Sequence, residues 1–225
     1  GVPDREMVDM LHARNIKVGS LIGKLEHATR QVAAGVDMIV AQGHEAGGHS
    51  GKIASMILWP QIADAVDPIP VLAAGGIGRG RQMAAALALG AEGIWCGSIW
   101  LGTSESEVMS EIKDLFFDAT AEDAIQTRAR SGKPVRMLKS RLTDAWDQPD
   151  APPFLQMPLQ TAVMVESRLR VERARDERFL TYPVGQIVGD MRHETNCRHV
   201  IHELLTEFVE AIERLNRISE LDDAE

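Results

Sequence analysis

The chain is poor in aromatic residues and has no excess of positive charge. Only ten of its 225 residues are Phe, Trp or Tyr, and 24 Lys and Arg stand against 33 Asp and Glu, which gives a net charge of −9. Nucleic acids and anionic membrane surfaces are bound by basic patches, so neither is an expected partner. No apolar run is long enough to cross a bilayer and no signal peptide is visible, which predicts a cytoplasmic protein.

Cysteine is nearly absent too. Cys96 and Cys197 lie far apart in the sequence, and Cys96 falls within a predicted buried strand. We interpret both as thiols in a reducing compartment rather than as a disulfide or a metal pair. His199 and His202 have the i, i+3 spacing of a metal site, but no further ligand accompanies them, so we predict a solvated helix face and no bound metal.

The most informative segment that is present reads QGHEAGGHSG and covers residues 42–51. It follows an apolar run, Val36 to Val40, that is typical of a short buried strand. Gly47 and Gly48 carry no Cβ, so their backbone can come close to a bulky ligand. His49 supplies a group that can donate, accept or transfer a proton near neutral pH. For this motif alone, a glycine-rich turn with a surface histidine would be the better interpretation.

Two further glycine segments at the spacing of a βα repeat favour the functional interpretation. Short apolar runs lead into small residues at 70–80 and at 93–98, and another predicted strand lies at 17–22. Helical patterns separate these runs at Lys24 to Ala34, Met56 to Val66 and Arg81 to Leu89. Four βα units in the first 103 residues predict an α/β fold with a parallel sheet, either doubly wound or a (β/α)₈ barrel.

The spacing of the glycines favours the barrel. The segment from Gly76 to Gly80 gives G-x-G-x-G, whereas a dinucleotide fingerprint needs G-x-G-x-x-G after the first strand. Glycine loops placed late in a βα series fit the phosphate site of a barrel. There, backbone N–H groups and a short helix N-terminus would hold the anion.

Three segments together resemble the later half of the nitronate monooxygenase family, once called 2-nitropropane dioxygenases. They are QGHEAGGHSG at 42–51, AAGGI at 73–77 and LGAEGIWCGS at 89–98, and weaker similarity continues through SGKPVR at 131–136 and VGQIVG at 184–189. The resemblance implies the later half of an FMN-dependent (β/α)₈ TIM barrel in residues 1–103. A mainly helical segment, residues 104–225, would pack on this barrel. The first strands and a Pro-Met segment of the family have no counterpart, so we expect a fragment comprising about the C-terminal two-thirds of a longer protein.

In that C-terminal segment, helices are predicted from Ser104 to Phe117, Ala121 to Arg130, Leu159 to Arg178 and Arg198 to Ile218. A proline-rich loop lies at 147–158, and an acidic tail, predicted to fray, covers 220–225.

The resemblance also implies roles for single residues. His49 would be the active-site group, Gln42 would hydrogen-bond the isoalloxazine edge, and Gln186 would reach the substrate. The cofactor-binding residues that the resemblance implies are Gln42, Ala46, Gly47, Gly48, Ala74, Gly75, Gly76, Gly97 and Ser98. Within this set, Gly75, Gly76, Gly97 and Ser98 would cradle the FMN phosphate.

The chemistry that the resemblance implies is oxidation of a nitronate, or of a nitroalkane, by O₂ to a carbonyl compound and nitrite. FMN would carry the redox step, and His49 would act either as a base or as a hydrogen-bond donor. The GGH segment fits equally an FMN-dependent enoyl-acyl-carrier-protein reductase, which would use NAD(P)H and an enoyl thioester. A non-catalytic fragment that needs its missing N-terminal half is a third interpretation, and a homodimer is one candidate oligomeric state.

Overall fold

Residues 2–222 are described by a computed structural model, and they divide into two units. The first unit contains residues 2–44, 51–96 and 197–222, and the second contains residues 45–50 and 97–196. This division differs from a boundary at residue 103, because the last helix belongs to the first unit and residues 45–50 belong to the second. Residues 223–225 of the acidic tail lie outside the described residues.

Helices and strands alternate in the first half of the chain. The elements in chain order are α1 (Arg5–His12), β1 (Gly19–Ile22), α2 (Leu25–Ala34), β2 (Met38–Gln42), α3 (Ser55–Val66), β3 (Val71–Ala74), α4 (Gly80–Ala88), β4 (Gly93–Trp95), α5 (Ser110–Asp118), β5 (Ala124–Thr127), β6 (Val135–Leu138), α6 (Arg141–Trp146), α7 (Leu159–Ala174) and α8 (Cys197–Asp222). Short 3₁₀ helices cover Ser98–Gly102, Ala121–Asp123 and Gln186–Asp190. No helix within residues 2–222 combines the length and the apolar character needed to span a membrane.

A parallel sheet forms the centre of the first unit, in the order β1-β2-β3-β4. Its central strands are apolar on both faces, as expected when helices cover a parallel sheet. Ile39 and Ala73 of the strands and Leu58 and Ile62 of α3 have no exposed surface. The α/β class and the four parallel strands predicted from the sequence are therefore confirmed.

Helix α8 packs on α4 in the same unit, and the contact is close at Gly80. A Cβ at Gly80 would lie 2.1 Å from the carbonyl oxygen of Leu204, so a side chain there would push the helices apart. The Glu207 carboxylate accepts hydrogen bonds from Arg79 Nε at 2.8 Å and from the Gly80 N–H at 2.9 Å. Glu207 thus satisfies an N–H at the start of α4, where the helix dipole favours a negative charge.

Replacing this carboxylate is expected to lower stability in a pH-dependent way. The hydrogen bond from Arg79 holds the pKa of Glu207 below its usual value of 4.5, so its contribution is complete at neutral pH and is lost as the pH falls through that lowered pKa. We expect Glu207→Gln to reduce the free energy of unfolding by about 1–2 kcal/mol at neutral pH and by much less near pH 3. Urea unfolding of the full-length protein at both pH values measures this difference.

Glu203→Gln is the matched control, because Glu203 lies on the same helix and pairs with His199 in an exposed i, i+4 bridge of 3.2 Å. Such exposed pairs contribute little to stability, so we expect a change below about 0.5 kcal/mol. Equal losses in the two variants would show that the Glu207 contact with α4 contributes nothing specific.

The second unit contains an antiparallel pair of strands, β5 and β6, with Thr127 opposite Val135. Its core is formed by α5, the strands and the 3₁₀ helix Gln186–Asp190, and includes Phe116, Val184 and Val188, which have no exposed surface. Helix α7 and the loop at 147–158 follow the sequence prediction, although α7 ends at Ala174 rather than at Arg178.

The predicted helix from Ala121 to Arg130 is wrong. Only a single 3₁₀ turn forms at Ala121–Asp123, and the chain then enters β5. Alanines gave this segment helical character, but β-branched Ile125 and Thr127 pair with β6, and the tertiary pairing overrides local propensity. The predicted helix from Ser104 begins later, at Ser110, and the Ser104 N–H donates to the carbonyl of Thr195.

Candidate active site

In the first unit, the carboxyl ends of β2 and β3 lie side by side, with Gln42 opposite Ala74. The indole N–H of Trp59, on α3, donates to the carbonyls of Ala41 and Ala74, each at 3.1 Å. One buried tryptophan therefore fixes both strand ends. Gln42 is half-buried at the last position of β2, as predicted, so its amide is available at the edge where ligands bind in parallel sheets.

The glycines that follow these strands allow a close approach of backbone to backbone. A Cβ at Gly43 would lie 2.0 Å from Ser55 Oγ, and a Cβ at Gly75 would lie 2.9 Å from the Gly43 nitrogen. Ser55 Oγ donates to the Gly75 carbonyl at 3.0 Å. Gly75 and Gly76 both have positive φ values, 105° and 69°, which glycine adopts without strain. Two consecutive residues of this kind can aim backbone N–H groups at an anion.

The loop after β3 is held from α4 by a single side chain. Gln82 Nε2 donates to the Gly76 carbonyl at 2.8 Å, and Gln82 Oε1 accepts from the N–H groups of Gly78 and Arg79. The N-terminus of α4 already has the Glu207 carboxylate on the Gly80 N–H. An anion in the first unit would therefore be held by the glycine loop rather than by the start of α4.

In the second unit, the GGH segment pairs with the edge of β6. Gly48 and Arg136 exchange backbone hydrogen bonds of 3.0 and 2.8 Å in an antiparallel bridge. Gly48 has a φ of +77°, and no atom lies within 4 Å of the position of a Cβ. At Gly47, a Cβ would lie 2.7 Å from the Gly185 nitrogen, so its missing side chain makes room for the protein's own backbone. Buried Ala46 precedes these glycines.

The segment around Gly185 also contacts two other predicted site residues. The Gly185 N–H donates to Ser98 Oγ at 2.8 Å, and the Gln186 N–H donates to the Glu45 carbonyl at 3.0 Å. Ser98 begins the 3₁₀ helix Ser98–Gly102 and keeps its hydroxyl proton available for an anion. The second unit therefore brings together the predicted residues Ala46, Gly47, Gly48, His49, Gly97, Ser98 and Gln186.

His49 has a partner that the sequence did not suggest. Its Nε2 lies 2.7 Å from Ser131 Oγ, in the loop between β5 and β6. Partial desolvation lowers the pKa of His49, and the positive charges of Lys133 and Arg130 lower it further. The imidazole is therefore neutral at neutral pH, although its surroundings are cationic. This combination suits a proton acceptor whose product, or whose ligand, is an anion.

Removing one of these cations is expected to raise the pKa of His49. The positive charge of Lys133 disfavours protonation of the ring, so Lys133→Met should move the pKa upward, towards the ordinary histidine value of 6.5. NMR titration of the ring signals in the full-length protein measures this shift, with the His49 signals identified by their loss in His49→Asn.

Lys139→Met serves as the control for that titration. Lys139 is exposed in the same unit and lies 4.0 Å from Asp144. It does not contribute to the lowered pKa of His49, so its loss should leave the titration curve unchanged. A downward shift in Lys133→Met, or no shift at all, would contradict the assignment of Lys133 as a charge acting on His49.

Sequence reasoning missed the positions of Ser131 and Arg136 in this site. Arg136 is buried and donates from its guanidinium to the Ala124 carbonyl, while its backbone pairs with Gly48. Both residues lie in the SGKPVR segment, whose weak similarity to the family was the available signal. Ser131 and Arg136 contact a loop some eighty residues earlier in the chain, and local sequence patterns do not predict contacts over such a separation.

Each unit contains glycine backbone that bears on the fit of a phosphate-bearing cofactor such as FMN. In the first unit, the two positive-φ glycines at 75 and 76 form a backbone turn of the kind that binds phosphate. In the second unit, Gly97 is exposed, has a φ of −122° and a ψ of −67°, and has no atom within 4 Å of a Cβ position. The space beside Gly97 is therefore open, and a glycine there leaves room for an approaching ligand. The residues fit a phosphate-bearing cofactor.

His44, the other histidine of the loop, has a structural contact. Its Nδ1 donates to the Gly51 carbonyl at 3.1 Å in the first unit. Elsewhere, His199 pairs with Glu203 on α8, and within residues 2–222 no group of three or more His, Cys, Asp or Glu side chains is placed to hold a metal. Burial raises the pKa of the Cys96 thiol to about 11, so this cysteine stays protonated and unreactive at neutral pH.

The chain belongs to the nitronate monooxygenase family, which matches residues 1–207. A candidate monooxygenase from Mycobacterium tuberculosis is 48% identical over 221 residues, which cover 96% of this chain and 59% of that protein. A hydroxy-methyl-oxo-octahydro-indene-carboxyl-CoA dehydrogenase from Rhodococcus jostii is 39% identical over 143 residues, covering 64% of this chain and 40% of that protein.

A solved structure of a nitroalkane oxidase from Streptomyces ansochromogenes is similar in fold. Its TM-score is 0.85 at 34% sequence identity, with 96% of this chain and 64% of that chain covered. The chain thus spans less than two-thirds of the length of each of these three relatives.

Proposed function

We propose that the full-length protein oxidises nitronates with O₂ to a carbonyl compound and nitrite, using FMN, and that it accepts neutral nitroalkanes after removing a proton. The observation that carries this proposal is the neutral His49, hydrogen-bonded to Ser131 and flanked by Lys133 and Arg130. Membership of the nitronate monooxygenase family supports the same chemistry.

The charges around His49 suit an anionic substrate. A nitronate carries a full negative charge, which the cations Lys133 and Arg130 would stabilise. The same cations lower the pKa of His49, so the ring is a weaker base but is present in its neutral form at neutral pH. Proton removal from a nitroalkane would then be driven by stabilisation of the nitronate that forms. The bond to Ser131 fixes the ring through Nε2 and leaves Nδ1 to accept the proton.

FMN would supply the redox chemistry when it is bound. In the second unit, the open space beside Gly97 would admit the cofactor, and the Ser98 hydroxyl would donate to its phosphate while still accepting from Gly185. In the first unit, the predicted FMN contacts remain Gln42 and the turn at Gly75 and Gly76. We further propose that the four parallel strands are the later half of a (β/α)₈ barrel, which the fold similarity to the nitroalkane oxidase supports.

A reductase that acts on an enoyl thioester is the second candidate. It is favoured by the relative from Rhodococcus jostii, whose name gives a carboxyl-CoA compound as its substrate. In that case NAD(P)H would be the electron donor, and His49 would contact the thioester side of the substrate.

Purified full-length protein should be yellow and should release FMN on denaturation. Under air it should form nitrite from an alkyl nitronate without added NAD(P)H. Release of FAD would overturn the cofactor assignment, and the absence of nitrite from a flavin-loaded protein would overturn the reaction.

A further inference from the structure

A cleft in the second unit includes Arg130, whose charge acts on His49, but is lined by neither His49 nor Ser131. It is formed by β6, α6, α7 and the chain after β5, and it holds about 350 Å³ of empty space, part of it open to solvent. Four apolar side chains form its walls, namely Ala129, Met137, Leu142 and Met164. Except for Leu142, these residues are buried, so the walls are fixed by the core of the unit.

Two arginines, Arg130 and Arg168, line the same cleft. Arg168 Nε lies 3.5 Å from the Glu172 carboxylate, and this nitrogen is buried without a hydrogen-bond acceptor among the described residues. Desolvation and the charge of Arg168 lower the pKa of Arg130, and Tyr182 and Glu172 partly offset this lowering. The Arg168 side chain is 42% exposed as a whole, but its Nε–H is buried and has no hydrogen-bond acceptor among the described residues.

The threonines of the cleft do not supply that acceptor. Thr143 donates its hydroxyl proton to the Ser140 carbonyl, and Thr181 donates to the Leu138 carbonyl, so neither hydroxyl proton is available to a bound anion. Recognition in this cleft would therefore come from the arginines. A guanidinium binds a carboxylate through two parallel hydrogen bonds, and the apolar walls would contact a hydrocarbon chain.

We infer that this cleft binds an aliphatic carboxylate, whose head group pairs with Arg130 and Arg168 and whose chain packs against the apolar walls. The inference does not depend on the proposed function. Arg130, which lines the cleft, directly precedes Ser131 in the sequence, and Ser131 is the hydrogen-bond partner of His49. A bound anion would offset the charge of Arg130 and thereby raise the pKa of His49.

Calorimetric titration of hexanoate into the full-length protein tests the inference. Arg168→Met, which keeps an unbranched apolar stem but removes the guanidinium and its charge, is expected to weaken hexanoate binding by about tenfold or more. Arg170→Met is the matched control, since Arg170 lies on the same helix but pairs with Glu166 on an exposed surface. Its affinity for hexanoate should equal that of the unchanged protein. Hexanoate should also raise the pKa of His49 in an NMR titration.

Two further probes separate the head group from the chain. Hexanamide, which has the same chain without the charge, and inorganic phosphate, which has charge without a chain, should both bind at least about tenfold more weakly than hexanoate. Equal affinity of phosphate and hexanoate, equal affinity of Arg168→Met and Arg170→Met, or no hexanoate binding would each overturn the inference. Nitrite formation is measured separately, so failure of the proposed reaction would leave these results intact.

Discussion

The His49→Asn variant is expected to lose turnover of neutral nitroalkanes by about 10²–10⁴-fold while it keeps most of its activity on preformed nitronates. Only the neutral substrate needs a proton to be removed, and asparagine cannot accept that proton. The amide retains a hydrogen-bond donor, so binding of an anionic nitronate beside Lys133 and Arg130 is largely preserved. Initial rates of nitrite formation from matched pairs of nitroalkane and nitronate measure the ratio of the two activities.

His44→Asn is the matched control, because His44 lies in the same loop but donates to the Gly51 carbonyl. It should leave the ratio of the two activities unchanged. Ser131→Ala should lower nitroalkane turnover by an intermediate amount, since it removes the group that orients the His49 ring. Equal losses on both substrates in His49→Asn would mean that His49 binds or polarises the substrate and is not the base.

The second large effect is expected at Gly97, where Gly97→Leu should lower FMN affinity by at least about tenfold while the folded protein persists. A leucine side chain would enter the open space above Gly97, which we assign to the cofactor, and a steric clash of this kind excludes the ligand. The φ of −122° combined with the ψ of −67° lies outside the main regions for residues other than glycine, so stability is measured beside FMN affinity. Flavin titration gives the affinity, and thermal unfolding without flavin gives the stability.

Gly47→Ala provides the comparison. A Cβ at Gly47 would lie 2.7 Å from the Gly185 nitrogen, so this smaller change should lower stability by roughly 1–3 kcal/mol even without flavin. If Gly97→Leu bound FMN as tightly as the unchanged protein, the space above Gly97 would not be the cofactor site.

The parallel sheet could be predicted from the sequence because its signals are local. Apolar runs of strand length alternate with helical patterns, and Gly35 ends α2 in the left-handed conformation that glycine favours. The β5–β6 pair could not be predicted, because Ala124 to Thr127 is short and is stabilised by Val135 to Leu138 rather than by its own propensity. The secondary structure of such a short segment is decided by the strand with which it pairs.

The candidate site was predicted in part for the same reason. The glycines and His49 form recognisable local motifs, but Ser131 joins them through a hydrogen bond across the fold. The sequence also could not show that two adjacent positions, 47 and 48, require glycine for different structural reasons. Gly47 is required by the backbone of Val184 and Gly185, whereas Gly48 is required by its positive φ.

Anaerobic mixing of the FMN-loaded full-length protein with an alkyl nitronate tests the proposed chemistry most directly. The nitronate alone should bleach the flavin absorbance without NAD(P)H, and admission of O₂ should restore the colour while nitrite and a carbonyl compound accumulate. The opposite result would be a flavin that the nitronate leaves oxidised, that NAD(P)H bleaches, and that a crotonyl thioester reoxidises. That outcome would contradict nitronate oxidation and would establish the enoyl-thioester reductase instead.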